Sequence, residues 1–396
     1  MTTQHPERPI AVMAVYGTRP EAIKMAPLVL ALHQDPRFRV RVVVTGQHRE
    51  MLDQVNHSFG IVPDHDLDIH SPGQTLTQIS NRTLDGLSTL FETDRPDAVL
   101  VQGDTTTTFA AALAAFYAGV DVVHTEAGLR TGNRHSPFPE EINRRLTSHL
   151  ATLHLSPTAQ SRENLLRENI DPATVVVTGN SVIDALLLTV ASRPRIEDTE
   201  LATRLATGRP VVLVTAHRRE SWGEPLRQVG RALGRLADAY PDYEFVFPAH
   251  RNPLVREAIV PQVHDRSNVI VTEPLPYAQF CALMERSSII LTDSGGVQEE
   301  GPSLGKPVLV MRDTTERPEA VTAGTVRLVG TDEQDIVEAV STLIEDPEVY
   351  EQMACALNPY GDGRAAERTL QALARHYGLG GTVEEFDEQA TPVALA

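Results

Sequence analysis

The sequence predicts an α/β protein made of two doubly wound halves, each a parallel sheet covered by helices. Three observations carry that expectation. Short apolar runs alternate with helical patterns along nearly the whole chain, the signature of βαβ units. Aliphatic residues are plentiful while aromatics make up 5% of the chain, as in proteins built on buried parallel sheets. A length of 396 residues exceeds what one hydrophobic core organises, so two domains are expected.

In the first half, the runs at 10–16, 40–45, 98–102, 120–125, 153–156 and 174–178 read as strands. Helices fall between them, among them 21–32, 74–91 and 109–118, and another opens at 137–145. A stretch rich in Pro, Arg, Asp and Thr, 192–209, reads as a linker with one short helix. A second series of strands follows at 210–215, 243–248, 268–271, 288–292, 307–311 and 325–329, with no sequence repeat relating the halves. The expected division is 1–190 and 191–362. The end of the chain, 378–396, is acidic, glycine-bearing and aperiodic, and is expected to be a disordered tail.

Charge and missing motifs narrow the function. A net charge of −18 argues against nucleic acid, whose phosphates need a basic footprint, and against anionic membranes. Any anion site is therefore a local focus of Arg and Lys. No apolar run approaches membrane-spanning length, and the polar start suggests no signal peptide. Cys281 and Cys355 lie far apart without metal-ligand spacing, so a reducing cytoplasm and no disulfide are expected. The chain lacks a Walker A loop, a GxGxxG with a downstream ribose acid, an HExxH and a Cys cluster, so no metal and no nicotinamide cofactor are expected.

Open α/β sheets bind ligands at the carboxyl ends of their strands. Polar groups gather there in both halves, and two such edges facing each other would make one interdomain cleft. In the second half, Asp293-Ser294-Gly295-Gly296 stands where a strand hands over to a helix. Glycines there allow backbone N–H groups to approach an anion, and Glu299 and Glu300 one turn on suit ribose hydroxyls. The plain alternative is a tight turn that uses glycine for its φ freedom. His217-Arg218-Arg219 concentrates positive charge at another strand end, and Arg317 adds a cation near the same edge; a structural histidine is the commoner reading for His217 alone. Phe280 either stacks on a base or belongs to the core.

In the first half, Gly17-Thr18-Arg19-Pro20-Glu21 brings Arg19 and Lys24 to a strand–helix switch, where they suit a diphosphate, or are a surface arginine and a snorkelling lysine. Asp104 and Glu126 end consecutive strands, an arrangement suited to acid/base work, although Asp104 could instead cap a helix. Glu140/Arg144 and Glu141/Arg145 are spaced as i,i+4 pairs; one pair is expected to be structural, and Glu140 with Arg144 functional.

Taken together, GTRPEAIKMAPLV (17–29), TGQHREMLDQV (45–55), QGDTTTTF (102–109), HTEAGLRTG (124–132), PFPEEINRRLT (137–147), TGNSVIDAL (178–186), VTAHRRES (214–221) and TDSGGVQEEGPSLGKPVLV (292–310) resemble the non-hydrolysing UDP-N-acetylglucosamine 2-epimerases, from residue 10 to about 376. The resemblance implies two Rossmann-like domains in a GT-B arrangement, with the active site in the interdomain cleft, the C-terminal helix 363–377 returning to the first domain, a homodimer and no redox cofactor. It carries Arg19, Lys24, Asp104, Glu126, Glu140, Arg144 and His217 over as catalytic or sugar-side residues. Phe280, Ser294, Gly295, Gly296, Glu300 and Arg317 are carried over as nucleotide-side residues, and Leu275 stands at a uracil-side position where some relatives have Gln. Gly73 and Glu50 depart from residues that, in some members, serve an effector site for a second UDP-GlcNAc.

The implied reaction is reversible epimerisation of UDP-GlcNAc at C2. That hydrogen is unactivated, so UDP is expected to leave C1 first and give 2-acetamidoglucal, to which UDP then re-adds. A hydrolysing epimerase, a GT-B glycosyltransferase and a silent UDP-sugar-binding regulator are the rivals.

Overall fold

The computed structural model describes residues 8–47, 49–315 and 317–388. The chain divides into two compact units: one runs to Ala185 and takes the chain back at Tyr360–Glu388, and the other spans Leu186–Pro359.

In the first unit the strands are β1 (Ile10–Tyr16), β2 (Phe38–Val44), β3 (His65–Asp66), β4 (Ala98–Gln102), β5 (Asp121–Thr125), β6 (Leu153–Ser156) and β7 (Val175–Val177). Among the described residues they form one sheet of order β3-β2-β1-β4-β5-β6-β7, with every pair parallel. Seven successive residues of β1 are buried, as expected of a strand covered on both faces. The sequence reading missed β3, which is two polar residues on the sheet edge, too short to show a period of two.

The second unit repeats the plan with β8 (Val211–Thr215), β9 (Glu244–Pro248), β10 (Val269–Thr272), β11 (Ile289–Thr292), β12 (Val308–Val310) and β13 (Val326–Leu328), in the order β10-β9-β8-β11-β12-β13. Each sheet therefore has one point where the winding reverses, between β1 and β4 and between β8 and β11. Ligands in such sheets bind at those switch points. The fold class is the expected one, two Rossmann-like α/β domains.

The end of the chain corrects an expectation. Residues 378–388 are not a disordered tail: Phe386 is 8% exposed, and its N–H donates to the Val177 carbonyl at 2.9 Å on the edge strand β7. A single aromatic that covers a sheet edge leaves no periodic trace in an otherwise acidic segment. Residues 389–396 of that expected tail lie outside the described residues.

Helix Ala365–His376 belongs to the first unit and starts on a buried carboxylate: Asp184 accepts from the N–H groups of Ala365 at 3.2 Å and Ala366 at 2.8 Å. Burial pushes the Asp184 carboxyl up to about 6, against the pull of those two N–H groups. The folded chain thus holds this proton more tightly than the unfolded one, so stability from this group falls as pH rises from about 4 toward about 6 and stays lower above it. Asp184→Asn is expected to flatten the curve of unfolding free energy against pH over that window. Urea titrations at stepped pH check this; parallel curves for the two proteins would exclude it.

Candidate active site

The switch point of the first sheet is tied together by Glu21. Helix Arg19–Gln34 opens with a capping box between Thr18 and Glu21. The Glu21 carboxylate also accepts from the Gly17 N–H at 3.0 Å, the Thr105 hydroxyl at 2.6 Å and the Thr108 hydroxyl at 2.9 Å. The loop after β1 is thereby fixed to the loop after β4. Burial pushes the Glu21 carboxyl up, and these hydrogen bonds oppose it. Arg19, at the first position of the helix, is partly exposed.

Asp104 is not a cap. Thr105 caps helix Thr106–Tyr117, accepting from the Thr108 N–H, and the Asp104 carboxylate is ion-paired with Nη2 of Arg144. Asn143 donates to the Asp104 carbonyl at 3.0 Å. Arg144 is 9% exposed and reaches Glu141 at 3.4 Å. The expected Glu140–Arg144 pairing is therefore replaced: among the described residues Arg144 serves Asp104 and Glu141. The physical reason is that Glu141 is fully buried, accepting from the N–H groups of Thr131 at 3.0 Å and Gly132 at 3.2 Å while pairing with Arg145 at 3.2 Å. Glu140 begins helix Glu140–Leu150 and is partly buried.

Glu126 follows β5 with φ 58°, a left-handed conformation that costs a non-glycine residue about 1–3 kcal/mol. Its side chain is 9% exposed. One oxygen takes the ammonium of Lys24 and the Asn180 amide at 3.0 Å; the other takes the Gln102 amide at 2.7 Å. Lys24 is thus neither a snorkelling surface residue nor a free cation. No hydrogen bond joins Asp104 to Glu126 among the described residues; each carboxylate faces its own cation. His124, two residues before Glu126, is scaffold. Burial pulls its imidazole down to about 3, and Nε2 donates to the Gly103 carbonyl at 2.7 Å.

In the second unit the organising residue is Asp293, directly after β11. Its Oδ2 accepts from the N–H groups of His217 at 2.6 Å and Arg218 at 2.7 Å, and its Oδ1 lies 3.0 Å from Nδ1 of His217. Burial acts to raise the Asp293 carboxyl, yet the His217 ring and these N–H groups outweigh it and hold it below its usual value. An Asp on Nδ1 leaves Nε2 of His217, whose side chain is 40% exposed, as the nitrogen open to a ligand. The His217 ring stacks on His250 with centroids 5.8 Å apart.

Ser294 occupies the N-cap of helix Gly295–Glu300 without a side-chain capping bond. Neither Gly295 nor Gly296 has positive φ, so conformational freedom does not explain them. A Cβ on Gly295 would come 2.6 Å from Nη1 of Arg317, whose Nε donates to Glu299 at 2.6 Å. The missing side chain makes room for a guanidinium. Glu300 accepts from the buried Tyr277 hydroxyl at 3.0 Å. Phe280, on helix Tyr277–Arg286, is partly exposed rather than fully buried, as is Leu275 before it.

The sequence reading missed the roles of Asp293, Gln102 and Asn180. The first had a signal, an acidic residue ending a buried strand beside the His217 strand; the amides gave none. Gly73 has nothing within 4 Å of where a Cβ would lie, and the Glu50 side chain is outside the described residues. Among the described residues no group of three or more His, Cys, Asp or Glu is placed to hold a metal ion, and no helix is long and apolar enough to cross a membrane.

Two Rossmann-like α/β domains thus carry charged groups at both switch points, Glu21 and Asp104 in the first and His217 and Asp293 in the second. The profile described as UDP-N-acetylglucosamine 2-epimerase matches residues 30–374. The chain is 56% identical over 369 residues to the UDP-N-acetylglucosamine 2-epimerase of Escherichia coli O157:H7, covering 91% of this chain and 98% of that protein. Identity to the Bacillus subtilis UDP-N-acetylglucosamine 2-epimerase is 51% over 372 residues, covering 93% and 96%. Among solved structures, the Neisseria meningitidis UDP-GlcNAc 2-epimerase bound to UDP-GlcNAc is 50% identical with a TM-score of 0.83, covering 92% of this chain and all of that one. The chain belongs to the UDP-N-acetylglucosamine 2-epimerase family.

Proposed function

We propose that this protein is a UDP-GlcNAc 2-epimerase of the non-hydrolysing kind, converting UDP-GlcNAc and UDP-ManNAc reversibly by elimination and re-addition. The observation that carries the reading is the pair of partly buried carboxylates, Asp104 with Arg144 and Glu126 with Lys24, at the carboxyl ends of neighbouring strands. The C1–O bond breaks first, the bonding pair departing with UDP, and one carboxylate then removes the C2 proton made acidic by the oxocarbenium character at C1. The products are 2-acetamidoglucal, UDP and a protonated carboxyl group. Delivery of a proton to the opposite face of C2 and attack of the UDP oxygen on C1 complete the exchange. A different group serves each face, and Asp104, Glu126 and Glu140 are the candidates.

Charge that develops on the departing diphosphate needs fixed donors. Arg317 above Gly295, the Ser294 hydroxyl, His217 Nε2 and Arg19 supply them in this reading, with Phe280 and Leu275 on the uracil side and Glu300 on the ribose side. The solved relatives from Neisseria meningitidis with UDP-GlcNAc and from Methanocaldococcus jannaschii with UDP-GlcNAc and UDP support the substrate assignment. The same reading makes the protein a cytoplasmic homodimer that uses no redox cofactor.

Incubation with UDP-GlcNAc in D2O, without an acceptor, tests the proposal. Both recovered UDP-GlcNAc and newly formed UDP-ManNAc are expected to carry deuterium at C2. Free ManNAc as the main product would replace the reading with hydrolysis, and conversion without label would remove the elimination.

A further inference from the structure

β7 is the edge strand of the first sheet, and residues 384–388 lie along it. The Phe386 N–H bonds the Val177 carbonyl at 2.9 Å, and its ring would be 3.7 Å from a Cβ on Gly179. The guanidinium of Arg368, 4% exposed, lies 5.5 Å over that ring. Arg368 donates to the carbonyls of Glu384 at 3.0 Å and Thr178 at 3.3 Å and is held by both oxygens of Asp362, at 2.6 and 2.7 Å. Outside, Glu385 pairs with Arg162 at 2.7 Å, and Glu388 accepts from the Ala159 N–H at 2.9 Å. The segment thus presses on 177–179 from one side and is latched to helix Ala159–Arg167 on the other.

The next residue after that loop touches the candidate chemistry. Asn180 donates its N–H to the Tyr360 carbonyl at 2.7 Å and its side-chain amide to Glu126 at 3.0 Å. A small cavity beside this loop is lined by Glu126, Thr178, Asn180, Ser181 and Thr369 among others. A shift of ~1 Å in a catalytic group can cost ~10²-fold in rate. The profile match ends at residue 374, before the strap begins.

We propose that residues 384–388 form a strap that positions Glu126 through Asn180, with Phe386 and Arg368 as positioning residues; the proposal rests on the acid/base role given above to Glu126. In the full-length enzyme, Phe386→Ala is expected to lower kcat about tenfold while KM for UDP-GlcNAc changes less than about threefold, and Phe386→Leu to restore it. The double variant Phe386→Ala/Asn180→Ala is expected to be no slower than Asn180→Ala alone, since both act through one contact. Glu385→Ala/Glu388→Ala releases only the outer latches and carries the same test in a folded protein even if Phe386→Ala does not fold. It is expected to lower kcat several-fold at unchanged KM and to speed amide exchange at 178–182. Unchanged kcat and exchange in the latch variant, or additive losses in the Phe386/Asn180 cycle, overturn the strap. Near-normal turnover in Glu126→Gln overturns the acid/base reading instead, which keeps the two failures distinct.

Discussion

Glu126→Gln is expected to lower turnover by at least ~10²-fold, the usual contribution of a general acid or base, while UDP still binds with near-normal affinity. The substitution preserves shape and removes only the titrating group. It also places a carboxamide where three donors converge, from Lys24, Gln102 and Asn180. A glutamine oxygen can satisfy two of them, but its NH2 must then face the third, and the lysine loses its counter-ion. Removing one partner of a largely buried ion pair costs about 3–5 kcal/mol in well-shielded cases, so some loss of melting temperature is expected alongside the loss of rate. UDP binding is the control that separates the two effects, because all the proposed nucleotide contacts except Arg19 belong to the second unit. Calorimetric titration with UDP and a single-turnover rate on the same preparation make the comparison. If turnover stays within a few-fold of wild type, Glu126 is a structural anchor for Lys24 and no more. Asp104→Asn, which breaks the pair with Arg144, gives the parallel comparison for the neighbouring strand.

Much of this site was legible before the structure because its residues stand at predictable places. Strand ends are marked by the halt of an apolar run, and Arg19, Asp104, Glu126, His217 and Ser294 all stand within three residues of one. Capping chemistry at Thr18 and Glu21 is written within four residues and needs no tertiary knowledge. What escaped the sequence depends on contacts between distant segments. The partners of Glu126 come from positions 24, 102 and 180, and nothing local at Gln102 or Asn180 points to a carboxylate. Helical spacing offered Arg144 to Glu140, whereas a partner 40 residues away, Asp104, claimed it. Composition suggested disorder near the end of the chain, while the ordering there depends on one phenylalanine meeting a sheet edge. Local pattern thus located the half-sites, and long-range packing decided which charges face each other within them.

Gly295→Ala is expected to weaken UDP binding about 10–100-fold with the fold intact. The added methyl would stand 2.6 Å from Nη1 of Arg317, closer than a carbon can remain, and 3.0 Å from its Cζ. Backbone cannot yield easily, since Gly295 is buried in a helix that leads straight into the turn Gly301–Leu304. The far end of a long side chain can yield, so the displacement falls on the guanidinium and not on the sheet. Arg317 would swing away on its stem, and its Nε bond to Glu299 at 2.6 Å would stretch or break. If Arg317 holds the diphosphate, the complex loses a hydrogen bond between charged groups, worth about 1.5–3 kcal/mol, which converts to the stated range of affinity. Gly296→Ala is the informative companion. A Cβ there meets Glu300 only at 3.7 Å, an ordinary contact, so the protein itself tolerates it. Any loss of UDP affinity in Gly296→Ala therefore reports a phosphate close to the backbone at that position. Arg317→Ala completes the set: combined with Gly295→Ala it is expected to bind no more weakly than Arg317→Ala alone, because both remove the same contact. Wild-type affinity in a well-folded Gly295→Ala, measured by titration calorimetry, would move the diphosphate away from Arg317 and toward the His217 and Ser294 side of the switch point.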